Sequence, residues 1–243
     1  MNSIISFLIF LKDARQCIER FIESLVYGPK DAVSISKDLR VEITGLLSDY
    51  LEELYLSGFT KRDYTWCLKT GHDTKLSRYR LSDNYLRFYL RYIDKYKNRI
   101  NRGHFELKSV TSLPEWYTIM GLQLENLVLN NRQLIHQALK LYPEDIVNDN
   151  PFFQKPTSKQ QGCQIDYMVQ TKHQTLYICE IKFTKQPIGM EVVTEIQRKI
   201  DSLKRPKGFS CRPVLIHVNG ASQDVLDSDY FAAVIDMAEF LEN

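Results

Sequence analysis

Nothing in this chain is apolar for long enough to cross a bilayer. Its opening run, Ile4 to Leu11, is about eight residues long, against the roughly 20 that a membrane-spanning helix needs. A secretory signal wants a basic segment ahead of the apolar one and a small-residue cleavage site behind it. Here Lys12-Asp13 follow the run instead, so it reads as the buried start of a helix in a protein with no membrane partner. The five cysteines, Cys17, Cys67, Cys163, Cys179 and Cys211, are odd in number and show no CxxC or Cys/His zinc spacing. That excludes a disulfide framework and a zinc ribbon, and points to reduced thiols in a cytoplasmic compartment. The five histidines are scattered; His217, in PVLIHVNG, reads as a strand residue, and no Ser-His-Asp or Cys-His grouping suggests a nucleophile. Net charge is only +2, too little to imply a polyanion partner, so any nucleic-acid argument must rest on local patches. No Gly-x4-Gly-Lys-Ser/Thr loop occurs, so the backbone cradle that holds ATP phosphates is missing.

What is present is material for real cores: 243 residues, 44% of them hydrophobic, enough for one large domain or two small ones. Apolar positions recur at helical spacing over 3–27 (Phe7, Phe10, Leu11, Ala14, Ile18, Phe21, Ile22, Leu25) until Gly28-Pro29 stop them. A short helix is expected over 34–39 with Ser34 as cap. A third follows over about 41–56, carrying Ile43, Leu46, Leu47, Tyr50, Leu51 and Leu54, with Gly58 just past its end. Two strands, 59–64 and 75–81, then bracket a polar loop. Three helices and a β-hairpin make a winged helix, a module that serves DNA binding or protein contact.

Between Lys75 and Arg102 stand nine Lys/Arg against two Asp, interleaved with six aromatics. Arg78, Arg80, Arg87, Arg91 and Lys95 are the candidates for a phosphate-tracking surface. The spacing of Tyr85, Phe88, Tyr89 and Tyr92 equally suits an amphipathic helix that packs its rings and solvates its charges. The predicted domains are 1–100, a polar linker 101–113, and 114–243. Pro114 suits the first turn of a helix reaching about Leu139, in which Glu125 borders apolar Leu122 and Leu129. That acid is either a surface residue or one that closes over a cluster.

The stretch QIDYMVQTKHQTLYICEIKF (164–183) places Asp166 and Glu180 inside two apolar runs joined by a polar turn. Buried carboxylates are costly unless something pairs with them. Glu180 and Lys182, two apart on a strand, share a face. In an antiparallel hairpin facing residues have a constant sum. Asp166 and Glu180 give an even sum, which requires three or five residues between Gln170 and Leu176, or a bulge. Two acids and a lysine on one face suit Mg²⁺ or Mn²⁺, an attacking water and a phosphodiester; a structural salt-bridge ladder is the alternative. Glu106-Leu107-Lys108 repeats the triplet without a strand around it. Downstream, Val192, Val193, Ile196, Ile200 and Leu203 predict a helix, RPVLIHV a buried strand, and FAAVIDMAEFLEN a short strand and a terminal helix. The order helix, strand, hairpin, helix, strand, strand reads as a mixed sheet flanked by helices, an α/β (mixed α+β) fold.

An Asp, thirteen residues, then Glu-x-Lys on adjacent strands resembles the core of the restriction-endonuclease-like PD-(D/E)xK nucleases. Two longer stretches, LSRYRLSDNYLRFYLRYI (76–93) and GCQIDYMVQ…LYICEIKFTKQPIG (162–189), resemble the C-terminal half of archaeal and bacterial AAA-type ATPases that carry a winged helix and such a domain. The resemblance spans nearly the whole chain. It implies a metal-dependent deoxyribonuclease module with Asp166, Glu180 and Lys182 as catalytic positions. It further implies Glu125 with Asp166 and Glu180 around Mg²⁺ or Mn²⁺, Gln197 as a further candidate on the next helix, DNA as partner, and a separate ATPase as a possible one. A non-catalytic DNA-binding adaptor, or the tail of an ATPase without its motor, is the competing expectation.

Overall fold

A computed structural model describes residues 18–42, 45–107, 109–158 and 160–241. Phe7, Phe10, Leu11, Ala14, Cys17, Ile43 and Lys108, together with the side chains of Leu46 and Leu47, lie outside the described residues. The chain divides into two compact units, Met1–Asp63 with Ser77–Leu113, and Tyr64–Leu76 with Pro114–Asn243.

In the first unit a helical segment over 18–24 is followed by α1 (Ala32–Leu39), α2 (Gly45–Leu56) and the base of a hairpin formed by β1 (Thr60–Trp66) and β2 (Asp73–Leu81). The cap of α1 is Asp31 rather than the expected Ser34: the Asp31 carboxylate accepts from the Ser34 amide at 2.8 Å, the ordinary way to satisfy an orphan amide of a first turn. Gly58 takes φ 82° just past α2, a left-handed conformation that glycine adopts without a Cβ clash. The basic stretch after the hairpin is not one smooth helix. It runs through α3 (Asn84–Phe88), a π-helical turn (Tyr89–Ile93), a 3₁₀ turn (Asp94–Tyr96) and α4 (Lys97–Asn101). Its rings divide accordingly, Tyr92 being buried and Tyr85 exposed.

The second unit is built on a five-stranded sheet of order β3-β4-β5-β6-β7: β3 (Ile146–Gln154), β4 (Cys163–Thr171), β5 (Thr175–Phe183), β6 (Ser210–Val218) and β7 (Ala233–Asp236). The β3–β4 and β4–β5 pairs are antiparallel, while the β5–β6 and β6–β7 pairs are parallel. The helix expected from Pro114 to Leu139 is broken at Asn131 into α5 (Trp116–Asn130) and α6 (Arg132–Ala138). α7 (Glu191–Ser202) connects β5 to β6, a short α8 (Gln223–Leu226) precedes β7, and the expected terminal helix is a 3₁₀ segment, Met237–Leu241. Helices cover both faces of the sheet. Val192, Ile196 and Ile200 of α7 pack with Ile165, Met168, Ile178 and Leu215; Leu124 and Val128 of α5 pack with Tyr167, Cys179 and Ile181. This is the mixed α/β sandwich expected of a sheet with two apolar faces.

The outer half of the hairpin, expected in the N-terminal domain, groups with the second unit. The reason is Trp66, 2% exposed in the α7-side core. Its ring meets Phe152 edge-on at 5.2 Å, and its indole N–H donates to Gln170 Oε1 at 2.6 Å. Gln170, itself buried on β4, donates onward to the Leu68 carbonyl at 2.9 Å. Trp66→Ala is therefore expected to destabilise the second unit by about 3–5 kcal/mol through the cavity and the lost ring contact. Gln170→Ala should cost about 1–3 kcal/mol by stranding a buried donor and acceptor. Urea denaturation of the full chain reads both; a Trp66→Ala midpoint equal to the parent's would remove the tip from this core.

Candidate active site

The register of β4 and β5 carries the site. Tyr167 faces Cys179, Met168 faces Ile178, and Gln170 faces Leu176; Asp166 and Glu180 have the same sum but stand one step beyond the last pair. The regular pairing stops at Tyr167 and Cys179, and there the Asp166 side chain takes over from the backbone. Its Oδ2 accepts from the Ile181 amide at 3.0 Å, satisfying a main-chain donor that the ladder leaves. On its other edge β4 carries an irregularity: Asn150 faces Met168 but Phe152 faces Ile165. Three residues of β4 thus span two of β3, a bulge that puts an extra residue in the Asp166 region.

Period-two alternation along β5 turns Glu180 and Lys182 to the same face as Ile178, toward α7. That helix supplies two residues that the sequence reading did not select, Glu195 and Lys199. Lys199 Nζ lies 2.5 Å from Glu180 Oε2, 3.7 Å from Asp166 Oδ1 and 4.0 Å from Glu195 Oε1. Lys182 Nζ lies 3.0 Å from Glu180 Oε1 and 2.8 Å from Glu195 Oε2. Three carboxylates and two ammoniums therefore interlock, with Glu180 the most deeply buried at 3% side-chain exposure. Gln197, by contrast, is exposed on the outer side of α7. It donates to Asp201 at 2.8 Å and accepts from the Tyr230 hydroxyl at 3.0 Å, lining a groove of about 1130 Å³ with Arg198 and Lys204. Helical phase explains the correction: inward Val192, Ile196 and Ile200 place 195 and 199 beside the apolar stripe and turn 197 away. Glu125 is half-buried on α5, whose neighbours Leu124 and Val128 belong to the core on the opposite face of the sheet.

Burial raises the Glu180 pKa to about 7, Asp166 adds to the shift, and Lys199 and Lys182 oppose it. For Lys182 burial works against the charge, but Glu180 and Glu195 outweigh it and its pKa is raised. An acid whose folded pKa lies above its unfolded one is destabilising when ionised. The penalty is absent below about pH 4.5 and complete above pH 7, where it is on the order of 3 kcal/mol. With chelator present, Glu180→Gln is expected to match the parent's stability at pH 4 and to exceed it at pH 7.5. Denaturant melts at the two pH values decide; a Gln variant less stable at pH 7.5 would mean the lysines favour the ionised form more than burial opposes it.

Among the described residues no group of three or more His, Cys, Asp or Glu side chains is arranged to hold a metal ion. Each oxygen of the Asp166–Glu180 pair faces an N–H donor instead. The acids as arranged thus do not offer a cation the oxygens it needs.

No family model and no curated protein sequence matches the chain. Among solved structures it is similar to a repair endonuclease from Pyrococcus abyssi, with a TM-score of 0.31 and 17% sequence identity, over 46% of this chain and 44% of that one. The match thus spans less than half of either protein.

The candidate DNA contacts separate by burial. Arg80 is 4% exposed, with Nε 2.8 Å from Asp63 Oδ2, and Arg87 is 1% exposed. Neither can reach a phosphate, which corrects the expectation for both: in each case the guanidinium is a core group of the first unit. Arg78 is half-buried, and burial lowers its pKa while Asp31 acts in the opposite sense. It lines a small hollow with Lys30 and Lys37. The Arg91 guanidinium lies over the rings of Tyr27 and Tyr92, 5.5 and 5.4 Å from their centroids. Lys95 is exposed, its ammonium 4.9 Å from the Tyr96 ring centroid. No helix among the described residues is long and apolar enough to cross a membrane.

Proposed function

We propose that the second unit is a phosphodiester-hydrolysing module acting on DNA, with Asp166 and Glu180 as its acids and Lys182 as the cation that orients the attacking water and meets developing charge. The observation that supports this most directly is the buried cluster in which Lys199 Nζ lies 3.7 Å from Asp166 Oδ1 and 2.5 Å from Glu180 Oε2 while Lys182 Nζ lies 3.0 Å from Glu180 Oε1 and 2.8 Å from Glu195 Oε2. The proposal includes Mg²⁺ or Mn²⁺, whose contribution when bound is to activate water and neutralise phosphate. Glu125, on the helix of the opposite layer, is kept as a supplementary acid. The first unit, three helical segments and a hairpin in winged-helix order, is proposed as a DNA- or partner-binding module using Arg78, Arg91 and Lys95, with a separate ATPase as a possible partner.

A second reading has its own support: three oxygens of the acid pair are engaged by donors and the fourth, Asp166 Oδ1, faces Lys199 at 3.7 Å, as in a non-catalytic scaffold whose cluster only ties α7 to the sheet. Incubating the purified full chain with supercoiled and single-stranded DNA, with Mn²⁺, with Mg²⁺ and with EDTA, separates the two. Metal-dependent cleavage that is lost in Asp166→Asn supports the nuclease. No cleavage under any condition supports the scaffold.

A further inference from the structure

We propose that Lys199 is an internal counter-cation: its ammonium holds the Asp166–Glu180 pair closed, and a divalent ion enters only by displacing it. The inference rests on the reading of these acids as a cation site. Its ground is the place of Nζ, 2.5 Å from Glu180 Oε2, 3.7 Å from Asp166 Oδ1 and 4.0 Å from Glu195 Oε1. A magnesium-sized ion needs carboxylate oxygens at roughly 2.0–2.1 Å, and an ammonium in contact with Glu180 Oε2 and facing Asp166 Oδ1 excludes it by volume and by charge. The other two oxygens are held by groups that a metal does not have to move. Asp166 Oδ2 accepts from the Ile181 amide and Glu180 Oε1 faces Lys182. Among the described residues, Lys199 is the cation that stands by both Asp166 Oδ1 and Glu180 Oε2.

It is also able to leave. The backbone of α7 is fixed by Ile196 and Ile200 in the core, but the lysine stem has four rotatable carbons and its side chain is 17% exposed. One turn back along the helix, Glu195 stands at i,i+4 spacing, a separation at which a carboxylate and an ammonium pair on a helix surface. Glu195 is 36% exposed at its side chain, so an ammonium moving toward it regains water. In the closed arrangement Lys199 supplies the positive charge between the two acids.

The test is isothermal titration of the full-length protein with Mn²⁺ alone. Lys199→Met keeps the stem and removes the charge; it is expected to bind Mn²⁺ at least about 10-fold more tightly than the parent, and Asp166→Asn in the same background should abolish the gain. Lys199→Arg, which keeps the charge, should bind no better than the parent. Lys199→Gln replaces the Met variant if the latter does not fold, as judged by its melt. Equal or weaker Mn²⁺ binding in the uncharged variants overturns the proposal, as does no binding in any variant at millimolar Mn²⁺. The nuclease reading is decided separately, by cleavage in the parent protein, so either can fail without the other.

Discussion

Replacing Arg87 with alanine is expected to unfold the first unit, and DNA affinity is the wrong property in which to look for its effect. The guanidinium is almost fully buried, with Nη1 donating to the Val26 carbonyl at 2.8 Å and to that of Leu25 at 3.4 Å, and Nη2 donating to the Leu81 carbonyl at 2.8 Å. One planar fork thus joins the end of the first helical segment to the end of β2. Alanine leaves those carbonyls without these donors and opens a cavity of side-chain size. Since losing one partner of a buried charged interaction costs roughly 3–5 kcal/mol, and stranded carbonyls add to it, most of a small unit's stability is at stake. Arg87→Lys should fare little better, because a single ammonium cannot span carbonyls that lie on both arms of a fork. Thermal melts with hydrogen exchange over residues 18–60 are the measurement. A variant that melts with the parent, yet loses DNA binding in a salt-dependent way, would falsify the burial argument.

The second large effect belongs to the acid cluster. If the module cleaves DNA, Lys182→Met should reduce turnover by about 10²-fold or more, the usual consequence of removing one electrostatic contact to a developing charge. Asp166→Asn is the informative acid variant, better than alanine, because the amide oxygen can still accept from the Ile181 N–H while the negative charge is gone. Cleavage should vanish while the melting temperature stays near the parent's. Asp166→Ala would confound the two by stranding a backbone donor. Steady-state cleavage of a labelled duplex, read beside a melt of each variant, separates them. Full activity in Asp166→Asn would move the chemistry away from this hairpin.

How much of this was legible in the sequence follows from which properties are local. The register of the hairpin was, because strand period and the length of the Lys172–Gln174 turn fix the sum of facing residues without reference to anything distant; the ladder itself ends one step short of Asp166 and Glu180. The bulge near Asp166 was not, since it arises where β4 pairs with β3: the polar run IVNDNP (146–151) carries no alternating pattern from which its register, Asn150 opposite Met168 but Phe152 opposite Ile165, could be read. Arg80 and Arg87 were misread for a physical reason. A guanidinium looks like surface in composition, and only the carboxylate of Asp63 or the carbonyls of Leu25, Val26 and Leu81 make its burial tolerable, partners brought together by tertiary structure. Lys199 and Glu195 were within reach, for their i,i+4 spacing beside Ile196 and Ile200 is visible once the helix is phased. The break at Asn131 was not marked by proline or glycine; the Asn131 side-chain amide donates to the Leu127 carbonyl at 2.8 Å, a local competitor to the helix ladder.

The hairpin has a consequence for how such a chain can be rearranged. Because Trp66 and Leu68 complete a core whose remaining residues come after Pro114, neither unit is a continuous length of polypeptide, and the two are not beads on a string. A crossover at the 113/114 junction would hand a recipient gene a sheet lacking its indole plug, and would leave the donor with a ribbon whose apolar tip has nothing to cover it. During synthesis the tip leaves the ribosome long before the strands it will join, so the first unit cannot finish its hairpin's work until the last third of the chain has appeared. Inheritance and folding alike must treat the whole as one piece.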